Sequence, residues 1–241
     1  MRNGAFIKIF KKSFYDYCKN PIIIAPGFSL LIFFIVFSKL SVKINYGLQN
    51  TPALTLWLIF FSIISLLVIS LILSGLIGMT SDIMKKKDGI KSFLYNCRKF
   101  WFGNFIIILI IILAFNIIRY VAHNLAFFLG RSLNLEVDIA AALFFLLYFG
   151  GILSSLIFLT FANISLIVYK KSILESMRKS FYIVKKNYIE TLLILILFFV
   201  VNEILIRFIP SYGIELINAI FIVPYYALIL TRFVIESEGI K

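Results

Sequence analysis

The sequence predicts an all-α integral membrane protein. Six transmembrane helices form three parallel-repeat hairpins, each preceded by a basic amphipathic interfacial helix. Three observations lead there: an apolar excess, six apolar runs of spanning length, and a basic segment that recurs before each pair of runs. Of the 241 residues, 62% are hydrophobic and 15% charged, with a mean hydropathy of +1.03. Soluble domains run nearer half apolar and a quarter charged, and a domain of this size still shows much of its surface to solvent. Lipid must therefore be the solvent for most of the chain. Ordinary cytosolic enzymes, secreted disulfide scaffolds and disordered tails are excluded by the same figures.

A spanning helix needs about 20 apolar residues, and a backbone in lipid must bond within itself. Pro21–Leu40, Ala53–Met79, Trp101–Val121, Ile139–Tyr169, Tyr188–Ile209 and Gly213–Ile235 meet the requirement. The unbroken run Phe105–Leu113 lacks the alternation of an outer-membrane barrel strand. The second and fourth runs exceed a bilayer core of about 30 Å at 1.5 Å per residue, so they are expected to tilt or to continue past the membrane surface. No small-residue cleavage site follows the first run, which reads as a retained span. Residues 1–241 form a single membrane domain.

The net charge is +13, and its distribution sets the topology. Arg2, Lys8, Lys11, Lys12 and Lys19 precede the first span. Lys85, Lys86, Lys87, Lys91, Arg98 and Lys99 fill the second loop, Lys170, Lys171, Arg178, Lys179, Lys185 and Lys186 the fourth, with Arg232 and Lys241 at the end. The opposite side carries only Lys39, Lys43, Arg119, Arg131 and Arg207. By the positive-inside rule both termini are cytoplasmic. Basic residues clustered between apolar runs point to anionic headgroups, not nucleic acid. Cys18 and Cys97 fall in these same segments, where two thiols in a reducing compartment make no disulfide framework.

The basic segments repeat. Lys12-Ser13-Phe14-Tyr15 returns as Lys179-Ser180-Phe181-Tyr182 and Lys19-Asn20 as Lys186-Asn187, both 167 residues on. A weaker copy lies between: Lys86-Lys87 before Ser92-Phe93 matches Lys170-Lys171 before Ser176, at an offset of 84. The repeat units are about 1–82, 83–169 and 170–241. Each segment carries an apolar stripe at helical spacing: Phe6, Phe10, Phe14 and Tyr17; Ile90, Phe93, Cys97 and Trp101; Leu174, Met177, Phe181, Val184 and Tyr188. Such helices lie in the membrane interface with the apolar face down and the basic face toward headgroups. The segments serve as topology anchors, or as a cytoplasmic collar that binds lipid or a partner protein.

Chemistry-bearing motifs are sparse. His123 has no cysteine or second histidine to complete a metal site, and no Walker A run or dinucleotide turn is present; no metal or cofactor is expected. Ionisable groups inside spans are costly and count as functional candidates. Glu203 and Arg207 stand at i, i+4 in the fifth span beside Asn202, a spacing that allows pairing or a polar site. Asn116, Asn163 and Asn218 are candidates for interhelical hydrogen bonds, and Gly150-Gly151 with Ser154-Ser155 for close helix contact. Pro26-Gly27 and Pro224 are candidate kinks.

Ser172–Asn187 running into the fifth span and Pro224–Gly239 closing the sixth carry a resemblance. In layout the chain resembles a loose group of prokaryotic six-span membrane proteins, including the membrane domain joined to some glycerophosphodiester phosphodiesterases. The resemblance implies a membrane module, lipid-associated, in a prokaryotic plasma membrane. The phosphodiesterase domain has no counterpart before Lys241, so that activity is not carried over.

The leading expectation is a non-enzymatic module that binds or organises lipid, with anionic headgroups as partners, or scaffolds a partner protein. Its collar comprises Lys11, Lys12, Lys85, Lys86, Lys87, Lys170, Lys171, Arg178, Lys179, Lys185 and Lys186. The alternative is a small permease or the membrane subunit of a transport complex, using Asn202, Glu203 and Arg207. An intramembrane lipid enzyme comes third.

Overall fold

Chains this apolar bury their backbone polarity by coiling, and the computed structural model is built from helices, with no strand among the described residues 3–47, 52–133 and 136–237. Arg2, Lys241 and Gly239, and the side chain of Phe6, lie outside what is described. The order is α1 (Asn3–Lys19), a 3-10 turn (Pro21–Ile23), α2 (Ile24–Gly47), α3 (Pro52–Met84), α4 (Gly89–Ser132) and α5 (Val137–Leu159). It continues with α6 (Ala162–Val168), α7 (Ile173–Lys186), α8 (Tyr188–Phe208), α9 (Ser211–Ile217), a π-helical turn (Asn218–Ile222) and α10 (Val223–Ser237). Among the described residues, six helical stretches are long and apolar enough to span a bilayer: Pro21–Ile44, Ala53–Met84, Gly89–Ser132, Val137–Val168, Tyr188–Phe208 and Gly213–Ser237.

Where a basic segment meets its span, the helix breaks at an asparagine in two of the three, helped at Asn20 by the following Pro21, which has no N–H. Asn20 and Asn187 hold similar non-helical backbones, at φ −126°, ψ 71° and φ −133°, ψ 47°. Each side-chain amide donates to the carbonyl four residues back, Asp16 at 2.9 Å and Ile183 at 3.1 Å, so the asparagine stands in for the ladder it interrupts. Gly103 lies 84 residues before Asn187 and has no side chain for that bond. There the second basic segment and the third span run on as one helix of 44 residues, about 66 Å at 1.5 Å per residue.

The fourth and sixth spans are interrupted instead, and in each a side chain from a basic helix fills the gap. Between α5 and α6 the freed Phe161 N–H donates to Ser180 Oγ at 3.2 Å, while that hydroxyl donates to Phe158 O at 2.6 Å. Side chains inserted into the ladder are a standard cause of kinks. In the sixth span, Pro224 has no N–H to offer the Ile220 carbonyl four residues earlier, and Tyr17 OH of α1 donates to that oxygen at 2.8 Å. The expected kink at Pro224 thus takes the form of a π-helical turn just ahead of it, whereas α2 stays helical through Pro26-Gly27. Gly27 packs so closely on the turn that a Cβ would overlap the Ala219 carbonyl.

α10 is the central element. Of its span's most apolar window 39% is buried, against 17% or less in the other five. Leu228, Phe233 and Val234 are fully enclosed, Phe233 stacks on Phe161 with centroids 5.2 Å apart, and Thr231 bonds Thr80 of α3 at 3.0 Å. α3 and α4 form the closest helix pair through small residues: Gly75 leaves room for Phe93 and Cys97, Gly78 for Asn96. Asn104 Nδ2 donates to Ser70 O across this seam at 2.9 Å.

The other polar candidates behave differently. Asn116 bonds Ile112 O of its own helix at 2.9 Å, and the Oδ1 atoms of Asn163 and Asn218 are buried without a partner among the described residues. Gly151 closes on Ile118, but Gly150 faces open space. Away from the core the spans turn large apolar side chains outward, among them Val36, Leu56, Leu113, Phe128, Leu146 and Phe199, as lipid-facing helices do.

Gly27→Ala is expected to destabilise the protein by about 1–3 kcal/mol, the cost of overpacking, seen as a lower Tm in detergent. Gly150→Ala, with nothing within 4 Å of the added methyl, should leave Tm unchanged or slightly higher.

Candidate functional site

The α3–α4 turn is built by backbone bonding. Lys86 N–H donates to Ile83 O and Lys87 N–H to Asp82 O, both at 2.9 Å, the paired bonds of a Schellman ending. Its left-handed position is normally glycine, yet Lys86 occupies it at φ 57°, at a cost of roughly 1–2 kcal/mol. Asp88 then caps α4, accepting from Ile90 N–H at 3.0 Å and Lys91 N–H at 3.3 Å. The α6–α7 turn repeats the device 84 residues later: Lys170 is left-handed at φ 52°, and Ser172 caps α7 in a capping box with Glu175.

α1 is held against α10 by charge and aromatic contact. Arg232 pairs with Asp16 and lies 3.5 Å from Glu236, which also takes Lys12 at 3.3 Å. Arg232 is 12% exposed and Asp16 19%, so water screens this pair weakly. Tyr17 packs edge-on against Phe221 and Tyr225, and burial raises its phenol pKa.

Between α1 and the α3–α4 turn lies an open cleft of about 670 Å³, lined by Lys11, Lys12, Tyr15, Asp16, Lys19, Asn20, Ile83, Met84, Lys86, Lys87 and Arg232. Four collar residues therefore meet here: Lys11, Lys12, Lys86 and Lys87. Lys85 is exposed on the same turn but does not line the cleft. Lys12 is engaged with Glu236, not an unpartnered collar cation. In the sequence Lys19 counted as a topology charge and a repeat residue, Arg232 as a topology charge alone, and Asp16 not at all. The 216 residues separating Asp16 from Arg232 leave no local spacing by which to pair them.

Lys170, Lys171, Arg178, Lys179, Lys185 and Lys186 gather around α6 and α7. Lys179 lies over the rings of Tyr169 and Tyr182, at 5.3 Å and 5.8 Å. Its pKa is lowered, first by burial, then by repulsion from Lys171 and Lys186. Burial pushes the Tyr169 phenol up to about 12, and its hydroxyl donates to Val234 O at 3.1 Å. Lys186 Nζ reaches Ser237 O at 3.5 Å.

The faces of the basic segments divide in a way the apolar stripes foretell only partly. Phe14, Ile90, Leu174, Phe181 and Tyr188 point outward, but Tyr17, Cys97 and Val184 are buried against the bundle. What turns inward is a largely small, hydroxyl-bearing row: Ile9 and Ser13 with Tyr17; Ser92 and Asn96 with Phe100; Ser176 and Ser180 with Val184. In both copies of the Lys-Ser-Phe-Tyr motif the serine is fully buried and the two rings exposed.

The fifth-span residues are not drawn into a site. Asn202 Nδ2 bonds Phe198 O of its own helix at 3.0 Å, Glu203 is half-buried and Arg207 exposed. Among the described residues no ion pair within 4.0 Å joins Glu203 to Arg207. His123 packs edge-on against Phe144, centroids 6.1 Å apart; among the described residues no cluster of potential metal ligands occurs.

These features define a class: an all-α multi-pass membrane protein with a densely packed basic end. Compared with protein-family models, curated proteins and solved structures, the chain matches none.

Arg232→Gln leaves Asp16 uncompensated and should cost about 2–4 kcal/mol, in the range for breaking a poorly solvated pair. Asp16→Asn combined with Arg232→Gln should cost less than the single change, measured by Tm in detergent as a double-mutant cycle.

Proposed function

We propose that this protein is a non-enzymatic membrane module that binds and organises anionic lipid through a basic cytoplasmic collar. One observation carries the reading: Lys11, Lys19, Lys86 and Lys87 converge with Arg232 on a cleft holding one carboxylate, Asp16. A basic cluster beside apolar spans attracts anionic headgroups by about 1 kcal/mol per cation near the surface. The lysine excess on one side supports a cytoplasmic orientation for that end, with both termini on the same side. The resemblance carried by Ser172–Asn187 supports a prokaryotic plasma membrane as the setting.

The repeat reading draws support from matched details. Left-handed lysines at 86 and 170, caps at Asp88 and Ser172, and asparagine joints at 20 and 187 recur at the sequence offsets. On this reading α1 and α7 lie in the interface as amphipathic helices, outward rings in lipid and lysines toward headgroups.

Lys11→Glu with Lys87→Glu reverses two charges that line the cleft. Anionic phospholipid retained by the purified protein, counted by native mass spectrometry, should fall by at least about tenfold. Retention equal to that of the unmodified protein would overturn the collar.

A further inference from the structure

The carboxylates around the cleft do not use up its cations. Arg232 is taken by Asp16 and Glu236, and Lys12 by Glu236. Lys11, Lys19, Lys86 and Lys87 have no carboxylate within 4.0 Å among the described residues; Lys19 has only the face of Tyr15, at 5.6 Å. Four like charges thus share one depression of about 670 Å³, within the size range of small-ligand sites. Unoccupied, they repel one another, and a multivalent anion relieves that repulsion.

Their arrangement says more. Lys11 and Lys19 stand eight residues apart on one face of α1, about 12 Å along the axis at 1.5 Å per residue, with Tyr15 between them. Lys86 and Lys87 come from the turn that lines the cleft with α1. Cations are therefore spread along the depression and over two walls of it, not focused on one point. Lysine ammonium groups act on phosphate as point charges without the planar fork of arginine. The left-handed Lys86 is the third observation: a charged side chain stands on the cleft wall at a strained position where glycine is the relaxed choice.

We propose that this cleft binds a ligand bearing two phosphate groups, held between Lys11 and Lys19 of α1 and Lys86 and Lys87 of the α3–α4 turn. The proposal rests on the collar reading and narrows its ligand. The shared chemistry is a pair of linked phosphates; its source is a two-phosphate lipid headgroup or a soluble diphosphate.

The test uses the purified full chain in a neutral detergent. The probes are cardiolipin, phosphatidylglycerol at equal phosphate, inorganic diphosphate and inorganic phosphate, read by thermal shift and native mass spectrometry. Two-phosphate probes should bind at concentrations at least tenfold below their one-phosphate counterparts, at one per chain. Cardiolipin acting at lower concentration than diphosphate assigns the lipid source, and the reverse order the soluble one. Lys86→Gly should raise the ligand-free Tm, by relieving the left-handed strain, yet weaken two-phosphate binding severalfold. Adding Lys87→Ala should remove the tenfold preference. A raised Tm for Lys86→Gly separates lost binding from unfolding. Two-phosphate probes binding no tighter than their one-phosphate counterparts, or two-phosphate binding unchanged by Lys86→Gly with Lys87→Ala, overturns this proposal and leaves the collar standing. Binding of none of the four probes sinks both, and diphosphate binding without retention of any anionic lipid sinks the lipid collar alone.

Discussion

A backbone group set free inside a lipid-facing helix has no water to turn to and must find its partner within the protein. That constraint organises this molecule. Pro224 deprives the Ile220 carbonyl of its helical donor, and Tyr17 supplies another. The break between α5 and α6 releases Phe161 N–H and Phe158 O, and Ser180 serves both. The two short basic helices, α1 and α7, are thus more than surface fittings. Each is keyed into an interrupted span, and the interruptions persist because the keys are there.

Electrostatics then sorts the charges that this docking brings together. Seating α1 beside α10 draws Asp16 and Arg232 into a weakly solvated pair, with Glu236 shared between Arg232 and Lys12. The acids near α1 are spent on holding helices, and the lysines across the cleft keep their full field. Around α7 the balance differs. Lys179 is sandwiched between tyrosine rings, with its proton held less tightly, so that side of the basic end is more packed and less open.

The spans were readable because lipid imposes a composition: runs such as Tyr188–Phe208 announce themselves by length and apolarity. The offsets of 167 and 84 were equally readable, since turn and cap chemistry is local. Lys86 and Lys170, or Asp88 and Ser172, carry their role in a few neighbouring residues. What stayed hidden was long-range. Nothing near Ser180 in the chain says that it completes a break twenty residues earlier, and nothing near Asp16 points to Arg232. The continuity of α4 through Gly103 hid for a related reason, since Asn104 there bonds across to Ser70 of α3, far off in the chain. The apolar stripes gave only part of the packing, because each basic segment has one apolar face left exposed and another face packed on the bundle. Hydrophobicity marks the first, and small size, as at Ser13 and Ser176, marks the second.

The central position of α10 bears on how the chain comes together during synthesis. Translation delivers α1 first and α10 last of the helices described, and most of what α1 needs, from Ile220 to Arg232 and Glu236, is in the final stretch. The α3–α4 pair can form early, because both its members are near neighbours in sequence. The core around Leu228 and Phe233 cannot. Spans two to five therefore wait in the membrane as a loose assembly whose keystone has not yet emerged from the ribosome. Closing so distant a contact costs more chain entropy than pairing neighbours, and contacts far apart in sequence slow folding. Over that interval the protein is most open to insertion factors, quality-control proteases and mispaired neighbours.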